Sequence, residues 1–457
     1  MGDGMSRTRS HTRIVSFLGL GRKDKPRRYD PVVYELAIDG PKVSTRPTPM
    51  HDAATLLACE GPASLLWLGT DVVREVWLDT GDSHSKAEAE LLDALLHTPR
   101  EALKDVALAF STLPADVSPD NQWDLFDSVV RALDPQPIEA DPSGLFDGPF
   151  ETAPPDRIIL DITHGFRAQP FLAAAAVLYT QAEVQRRGDT MPPVRILYAE
   201  FQSAKDDGSE KDAPAKPTPV RDLTRFLDIV AWNRAVDELE RFGRGDALAA
   251  LLERERRPLR AAGAAFGRLS RALESFTRDL NGLRLTNIFT QSAAWVRDMV
   301  PAARELAERE APLLKSCFDR VERLAGELVT TGDAPHSTDA LRAATRLTQR
   351  YLSWSRHLEA IAVLRESMVT SAVLLASDVD PKASIRDVRE GAKPPRADNT
   401  HPLQPAFDDL GQDRNDLLHC GFVNGRPLPG ASVADRVDHH LQTFIRLPHS
   451  TSGGEHV

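Results

Sequence analysis

Asp161-Ile162-Thr163-His164-Gly165-Phe166-Arg167-Ala168-Gln169-Pro170 is a polar stretch between two apolar ones. Before it, Arg157-Ile158-Ile159-Leu160 is short and apolar enough for a buried strand. After it, Phe171-Leu172-Ala173-Ala174-Ala175-Ala176-Val177-Leu178-Tyr179 is rich in strong helix formers. The local order is therefore strand, polar turn, helix. In an open α/β sheet such a turn lies outside the carboxyl end of its strand, where ligands bind, and the helix start offers free N–H groups and a positive dipole end to phosphate. Thr163 supplies a hydroxyl, His164 a switchable imidazole, Gly165 room for close backbone approach, and Arg167 a bidentate phosphate donor. The same residues also fit a plain turn, with Thr163 capping the helix, Gly165 reversing the chain and Arg167 solvated.

The chain around this stretch alternates strands and helices. Residues 1–11 are polar and read as disordered, and Ile14-Val15-Ser16-Phe17-Leu18-Gly19-Leu20-Gly21 reads as a first buried strand ending in a glycine turn. A strand running into Gly-x-Gly suggests a dinucleotide site, but the third glycine of that fingerprint falls at Asp24, whose charge repels pyrophosphate, so a nicotinamide-dependent oxidoreductase is disfavoured. A plain turn remains an alternative for Gly19 and Gly21. Further strands are expected at 64–69, 106–111 and 194–199, with helices at 87–96 and 124–133, which together predict a mostly parallel α/β sheet. His51, His84 and His97 have no partner spacing and read as ordinary histidines. Residues 202–219, with Pro214, Pro217 and Pro219, read as a flexible excursion, and no strand is expected after Ala199. From Val220 onward the pattern is helical, at 223–242, 246–256, 261–280, 293–309, 311–328, 339–352 and 357–376.

At 457 residues the chain is too long for one ordinary core, so two domains are expected. Hydrophobic residues at 41% and charged residues at 27% are those of a soluble globular protein, and a formal net charge of -11 argues against a protein that coats nucleic acid non-specifically. Cys59, Cys317 and Cys420 are far apart and form no C-x-x-C pair, so neither a disulfide framework nor a zinc site is expected, and a reducing cytoplasm is the simplest compartment. No apolar run approaches the roughly 20 residues of a membrane span.

Prolines 381, 394, 395, 402 and 405 interrupt the helices between 378 and 412. Within this interruption Lys382, Arg386, Arg389, Lys393 and Arg396 outnumber Asp387 and Glu390, which suits either an RNA contact or a solvated loop. Next comes Gly411-Gln412-Asp413-Arg414-Asn415-Asp416-Leu417-Leu418-His419-Cys420-Gly421, where Asp413 reads as the N-cap of a short helix whose free N–H groups favour an anion.

Two of these stretches resemble known signatures. Asp-Ile-Thr-His-Gly-Phe-Arg followed by Gln-Pro resembles the signature of CARF domains in CRISPR-associated proteins of type III systems, and Phe17-Leu18-Gly19-Leu20-Gly21 with Tyr29 and Tyr34 resembles the first strand and loop of the same family. Pro219-Val220-Arg221-Asp222-Leu223-Thr224, Trp232-Asn233 and Gly245-Asp246 resemble its connector. Arg414-Asn415 followed by His419 is similar to the R-x4-H form of the HEPN ribonuclease motif, after a stretch, 357–366, similar to the preceding HEPN helix.

The resemblance implies an α/β Rossmann-like CARF domain at 12–220, a helical connector and start of the helical domain at 221–350, and an all-α HEPN core at 351–457. It implies a cyclic oligoadenylate, cyclic tetra-adenylate by analogy with the relatives, held by Gly19, Gly21, Thr163, His164, Gly165, Phe166 and Arg167. It also implies a single-stranded RNA substrate at Arg414, Asn415 and His419, no cofactor and no metal ligands. Chemically the pair suits metal-free hydrolysis: the RNA 2'-hydroxyl attacks the adjacent phosphorus, His419 moves or positions a proton, and Arg414 neutralises developing charge, while Asn415 holds the helix or orients His419. Relatives build this cleft from two copies, so a homodimer or higher even-numbered homo-oligomer is expected. The competing reading is a CARF protein that senses the nucleotide and regulates a partner without nuclease activity.

Overall fold

The computed structural model describes residues 11–20, 31–37, 41–59, 61–78, 90, 91, 93, 94, 106–116, 118–138, 153–165, 169–200, 217–259, 263–332, 336–375, 404–419 and 430–446. The chain divides into two units, Met1–Asp228 and Ile229–Val457.

In the first unit the described residues form one sheet in the order β3-β2-β8-β7-β6-β1-β4-β5. Its strands are β1 (Thr12–Phe17), β2 (Tyr34–Leu36), β3 (Val43–Ser44), β4 (Ala63–Gly69), β5 (Val106–Thr112), β6 (Arg157–Asp161), β7 (Val194–Ala199) and β8 (Thr218–Asp222). The central pairs β1–β4, β1–β6, β4–β5 and β6–β7 are parallel. Continuous apolar runs are what a parallel sheet covered on both faces requires. β1 and β4 are buried at every position. Successive side chains alternate between two cores: Ile14, Leu65, Trp67 and Ile159 join one with Met50, Val73 and Trp77. Val15, Phe17, Leu66, Leu68, Ile158 and Leu160 join the other with residues of two helices, Gln122–Leu133 and Gln169–Arg186. Arg13 points into this second side, fully buried, and donates to the carbonyl oxygens of Ala132 (3.2 Å) and Gln136 (2.7 Å). A cation thus meets the unsatisfied carbonyls at a helix end.

The order of strands contains a switch point. After β1 the chain lays down β2 and β3 at the far edge of one side, crosses to build β4 and β5 on the other side of β1, and returns to place β6, β7 and β8 between β1 and β2. The crevice between the carboxyl ends of β1 and β6 is where open α/β sheets bind ligands.

The expectation of no strand after Ala199 is corrected by β8, which pairs antiparallel with β7 and parallel with β2. Pro217 and Pro219 read as loop punctuation because proline cannot donate to a ladder. Pro219 is tolerated because β2 and β8 share only two paired positions, Tyr34 with Thr218 and Glu35 with Pro219. The helix expected at 87–96 is described only at Glu90, Leu91, Asp93 and Ala94, which are helical, and His84 and His97 lie outside the described residues.

The second unit is helical throughout its described residues, from the helices Arg225–Phe242, which begins just before the boundary, Asp246–Leu259, Ala264–Asn281, Ala293–Glu310, Lys315–Gly326 and Thr338–Ser353 to His357–Leu375, Gln404–Leu418 and Gly430–Arg446. One core runs from Trp232 to Phe444. Two of its buried polar groups are satisfied across helices: Tyr351 OH donates to the Leu280 carbonyl and Trp354 Nε1 to that of Glu240, each at 2.6 Å. Among the described residues no helix is long and apolar enough to cross a membrane.

The chain-order labels used below are α1 (Asp52–Leu57), α2 (Asp71–Trp77), α3 (Gln122–Leu133), α4 (Gln169–Arg186), α5 (Arg225–Phe242), α6 (Asp246–Leu259), α7 (Ala264–Asn281), α8 (Ala293–Glu310), α9 (Lys315–Gly326), α10 (Thr338–Ser353), α11 (His357–Leu375), α12 (Gln404–Leu418) and α13 (Gly430–Arg446).

Candidate functional site

β6 ends at Asp161, and the turn that follows lies beside the loop leaving β1, because β1 and β6 are neighbours in register with Ser16 opposite Asp161. Gly19 and the trio Thr163, His164 and Gly165 are thereby brought to the same edge of the sheet, at the switch point. Gly21, Phe166 and Arg167 lie outside the described residues.

Thr163 does not cap α4. Its backbone N–H and its hydroxyl both donate to Asp161 Oδ1, at 2.9 and 2.6 Å, while its oxygen accepts from Ala199 N–H at 2.9 Å. The side chain pins the turn to the end of β7. Gly19 offers its carbonyl to Trp77 Nε1 at 2.9 Å, which anchors the β1 loop to α2. Gly165 is not a glycine for internal reasons, since a Cβ there would meet Gln169 and Pro170 at 3.4 Å, an ordinary contact. Its open face is available to whatever approaches the turn.

Beneath the turn lies a group the sequence did not announce. His51, read as an ordinary histidine, is buried with Asp52, Asp161 and Ser16. Its Nε2 stands 3.2 Å from Asp52 Oδ1, 3.3 Å from Asp161 Oδ1 and 3.0 Å from Ser16 Oγ. Trp67 Nε1 donates to Asp52 Oδ2 at 2.9 Å. The rings of His51 and His164 meet edge to face with centroids 4.4 Å apart. Burial alone lowers the His51 pKa, but the Asp161 and Asp52 carboxylates outweigh it and push it up to about 9. Burial raises Asp52, with Asp161 adding to it against the opposing pull of His51. Burial, and then the His51 charge, hold His164 well below the usual imidazole range. His164 is consequently a neutral hydrogen-bonding group at pH 7, not the switch its residue type suggested. No sequence signal could have found the cluster, since Asp161 is 109 positions beyond Asp52.

The R-x4-H residues sit elsewhere, on α12. The short helix expected to begin at Asp413 is corrected: α12 begins at Gln404 with Pro405 in its first turn, where a missing N–H costs nothing, and Arg414 and Asn415 lie in its last turns. Asp413 is a buried tertiary anchor. Arg436 of α13 donates to it from Nε at 2.8 Å and from Nη2 at 2.6 Å, and His440 Nε2 lies 2.7 Å away. Burial pulls its pKa up, but hydrogen bonds from Arg436 and His440 prevail and hold it below the usual carboxylate range. The free N–H groups expected near Arg414 are therefore absent, and the negative helix end lies there instead, which favours a cation. His419 N–H donates to the Asn415 carbonyl at 3.0 Å, so the helical path continues through His419. Among the described residues the side chains of Arg414, Asn415 and His419 have no hydrogen-bond or ion-pair partner, and Asn415 and His419 are exposed.

Asp413→Asn should cost about 1–3 kcal/mol by weakening a charged hydrogen-bond set. At roughly 2–4 °C per kcal/mol for a unit of this size, thermal unfolding reads that directly. A carboxylate with a depressed pKa stabilises above its unfolded value, so the difference from wild type should be full above about pH 4 and shrink as pH falls below it. An unchanged melting temperature at pH 7 would mean that α13 does not hold α12 through this group.

A cavity of about 600 Å³ also opens in the helical unit, lined by Arg284, Asn287, Thr330, His336, Glu366 and Thr370 among others. None of its lining residues belongs to α12.

No family model matches the chain, and no curated protein matches it. Among solved structures it is similar to one described as Enterococcus italicus Csm6 bound to cyclic hexa-2'-fluoro-hexa-dAMP, at 10% identity and a TM-score of 0.39, over 95% of this chain and 93% of that one. A likeness of that size does not by itself assign either unit.

Proposed function

We propose that this chain is a cyclic-oligoadenylate-activated, metal-independent single-stranded RNA endoribonuclease of type III CRISPR antiviral defence, with a CARF sensor at 12–220, a helical connector at 221–350 and a HEPN core at 351–457. The observation that carries the reading is the placement of the Asp161-Ile162-Thr163-His164-Gly165 turn beside Gly19 at the switch point of the parallel sheet. A turn pinned by Asp161 and Ala199, with a neutral imidazole and an open glycine face, suits the sugar–phosphate of a cyclic oligoadenylate. Arg167 and Phe166 extend this site in the proposal.

At α12 the reaction needs no group beyond RNA and protein. The 2'-oxygen forms a bond to the adjacent phosphorus as the bond to the 5'-oxygen breaks, leaving a 2',3'-cyclic phosphate and a 5'-hydroxyl. The 2'-hydroxyl proton is lost and the 5'-oxygen gains one, and His419 moves or positions a proton in that exchange. Arg414, free of any intramolecular partner among the described residues, is available to the phosphorane charge. Asn415 accepts the His419 N–H through its carbonyl and so helps to orient it. DNA lacks the nucleophile and is spared.

The test is cleavage of a fluorescent single-stranded RNA, without added divalent cation, in the presence of cyclic tri-, tetra-, penta- or hexa-adenylate. Cleavage is expected with one ring, cyclic tetra-adenylate, and not without it. Binding of a ring with no cleavage by any of them would favour the competing reading, a sensor that regulates a partner.

Arg167→Ala removes a hydrogen-bond donor from the turn and His164→Ala its imidazole, and each should raise the activator concentration for half-maximal cleavage about 10- to 100-fold, with the maximal rate little changed. Unaltered activation in both variants would place the activator elsewhere.

A further inference from the structure

We propose that His51, Asp52 and Asp161, with Ser16, form a buried divalent-cation site beneath the ligand turn of the α/β unit. The site is separate from the nuclease residues on α12, and the inference does not depend on the function proposed above.

The first support is geometric. One ring nitrogen, His51 Nε2, faces three oxygen atoms at once: Ser16 Oγ at 3.0 Å, Asp52 Oδ1 at 3.2 Å and Asp161 Oδ1 at 3.3 Å. A nitrogen carries at most one proton and can donate it along one direction. A four-coordinate ion with bonds of about 2.0–2.1 Å, by contrast, holds its ligand atoms about 3.3 Å apart, and Nε2 stands at that separation from both Asp52 Oδ1 and Asp161 Oδ1. One ligand atom from each of His51, Asp52 and Asp161 lies within 4.8 Å of the other two.

The second support is an unanswered atom. Asp52 Oδ1 is buried, points into the cluster and has no hydrogen-bond partner, although nearly every buried polar atom in a folded protein has one. Its companion Oδ2 is already held by Trp67 Nε1. On Asp161 the oxygen without a partner is Oδ2, while Oδ1, which faces His51, accepts from the N–H and hydroxyl of Thr163. Outer hydrogen bonds of this kind are what fix carboxylates at metal centres.

The third support is charge. The carboxylates are fully buried and the imidazole almost so. A neutral imidazole and two ionised carboxylates are balanced by a divalent ion, whereas one proton on His51 leaves a net negative charge in a dry site unless a carboxylate is also protonated. One nitrogen and oxygen donors at tetrahedral spacing, with no thiolate, fit Zn2+ best. Mg2+ and Ca2+ require about six or more oxygens. The ion would tie the loop before α1, through His51 and Asp52, to the end of β6, and so hold the floor of the ligand turn.

The experiment measures metal in the purified, desalted full chain by plasma mass spectrometry, for wild type, His51→Gln, Asp161→Asn and the nuclease variant His419→Ala. About one Zn2+ per chain is expected in wild type and in His419→Ala, falling about tenfold or more in His51→Gln and Asp161→Asn. Because His419→Ala is scored on metal and not on cleavage, failure of the nuclease reading and failure of this one are distinguishable. If neither ligand variant folds, wild-type chain produced with Co2+ decides alone, through the visible absorption bands of a four-coordinate nitrogen–oxygen site. A wild-type chain without stoichiometric metal, whose melting temperature added Zn2+ or Co2+ leaves unchanged, would overturn the proposal in favour of a protonated His51 paired with one ionised carboxylate. Equal metal in all four proteins would overturn it too.

Discussion

RNA cleavage by His419→Ala and by Arg414→Ala is expected to fall at least about a hundredfold below wild type, with thermal stability and cyclic-oligoadenylate binding unchanged. The size follows from the chemistry: a positioned proton-transfer group contributes about 10²–10⁴, and a donor aimed at developing negative charge about 10²–10³. The absence of a folding cost follows from the structure, since neither side chain has a hydrogen-bond or ion-pair partner among the described residues. The neighbouring Asp413 provides the contrast, because its loss should destabilise the unit through Arg436 and His440. Single-turnover cleavage at saturating activator, alongside thermal unfolding, separates the two kinds of residue. Near wild-type turnover by His419→Ala would remove α12 from the chemistry.

Mixing wild-type protein with about a ninefold excess of the Arg414→Ala/His419→Ala double variant, under conditions that permit subunit exchange, should lower cleavage per wild-type protomer about tenfold. Arg414 and His419 are five positions apart on a path that is helical through His419. At about 100° per residue they point about 140° apart, so one copy does not naturally aim both at one phosphate. A two-fold axis brings the arginine of one helix beside the histidine of its partner, and a cyclic ligand can satisfy the same symmetry at the sensor. In the excess of double variant, nearly every wild-type chain sits in a mixed dimer, where its arginine faces no histidine and its histidine faces no arginine. Constant activity per wild-type protomer, with exchange confirmed by labelled subunits, would mean that each chain carries a complete site.

The central sheet was legible in the sequence because a strand covered on both faces must be apolar at every position. Ile14-Val15, Leu65-Leu66-Trp67-Leu68 and Ile158-Ile159-Leu160 declare themselves without reference to anything distant. β2, β3 and β8 did not, being two to five residues long and, in β8, containing a proline. The turn after β6 was legible in residue types but not in their assignments: Thr163 fits a cap from its neighbours alone, and only the fold reveals Asp161 and Ala199 as its partners. The start of α12 was misread for a related reason. An aspartate before Arg-Asn suggests a cap when the arginine and histidine that bury it lie 23 and 27 residues later.

The position of β8 also governs the order in which the first unit can be assembled. Among the described residues β2 and β3 are joined to the rest of the sheet only through β8, which lies between β2 and β7. As the chain leaves the ribosome, β1 finds β4 within the first 69 residues, but β2 has no sheet neighbour beyond the two-residue β3 until Thr218–Asp222 has emerged. Over most of its synthesis the unit therefore holds an early segment in waiting for a late one, and a long loop must close before that edge is rewarded. Truncation after Ala199, where the apolar strand runs end, would leave the edge of β7 unpaired and β2 without its inner neighbour, turning the flank of the sheet into a template for another chain.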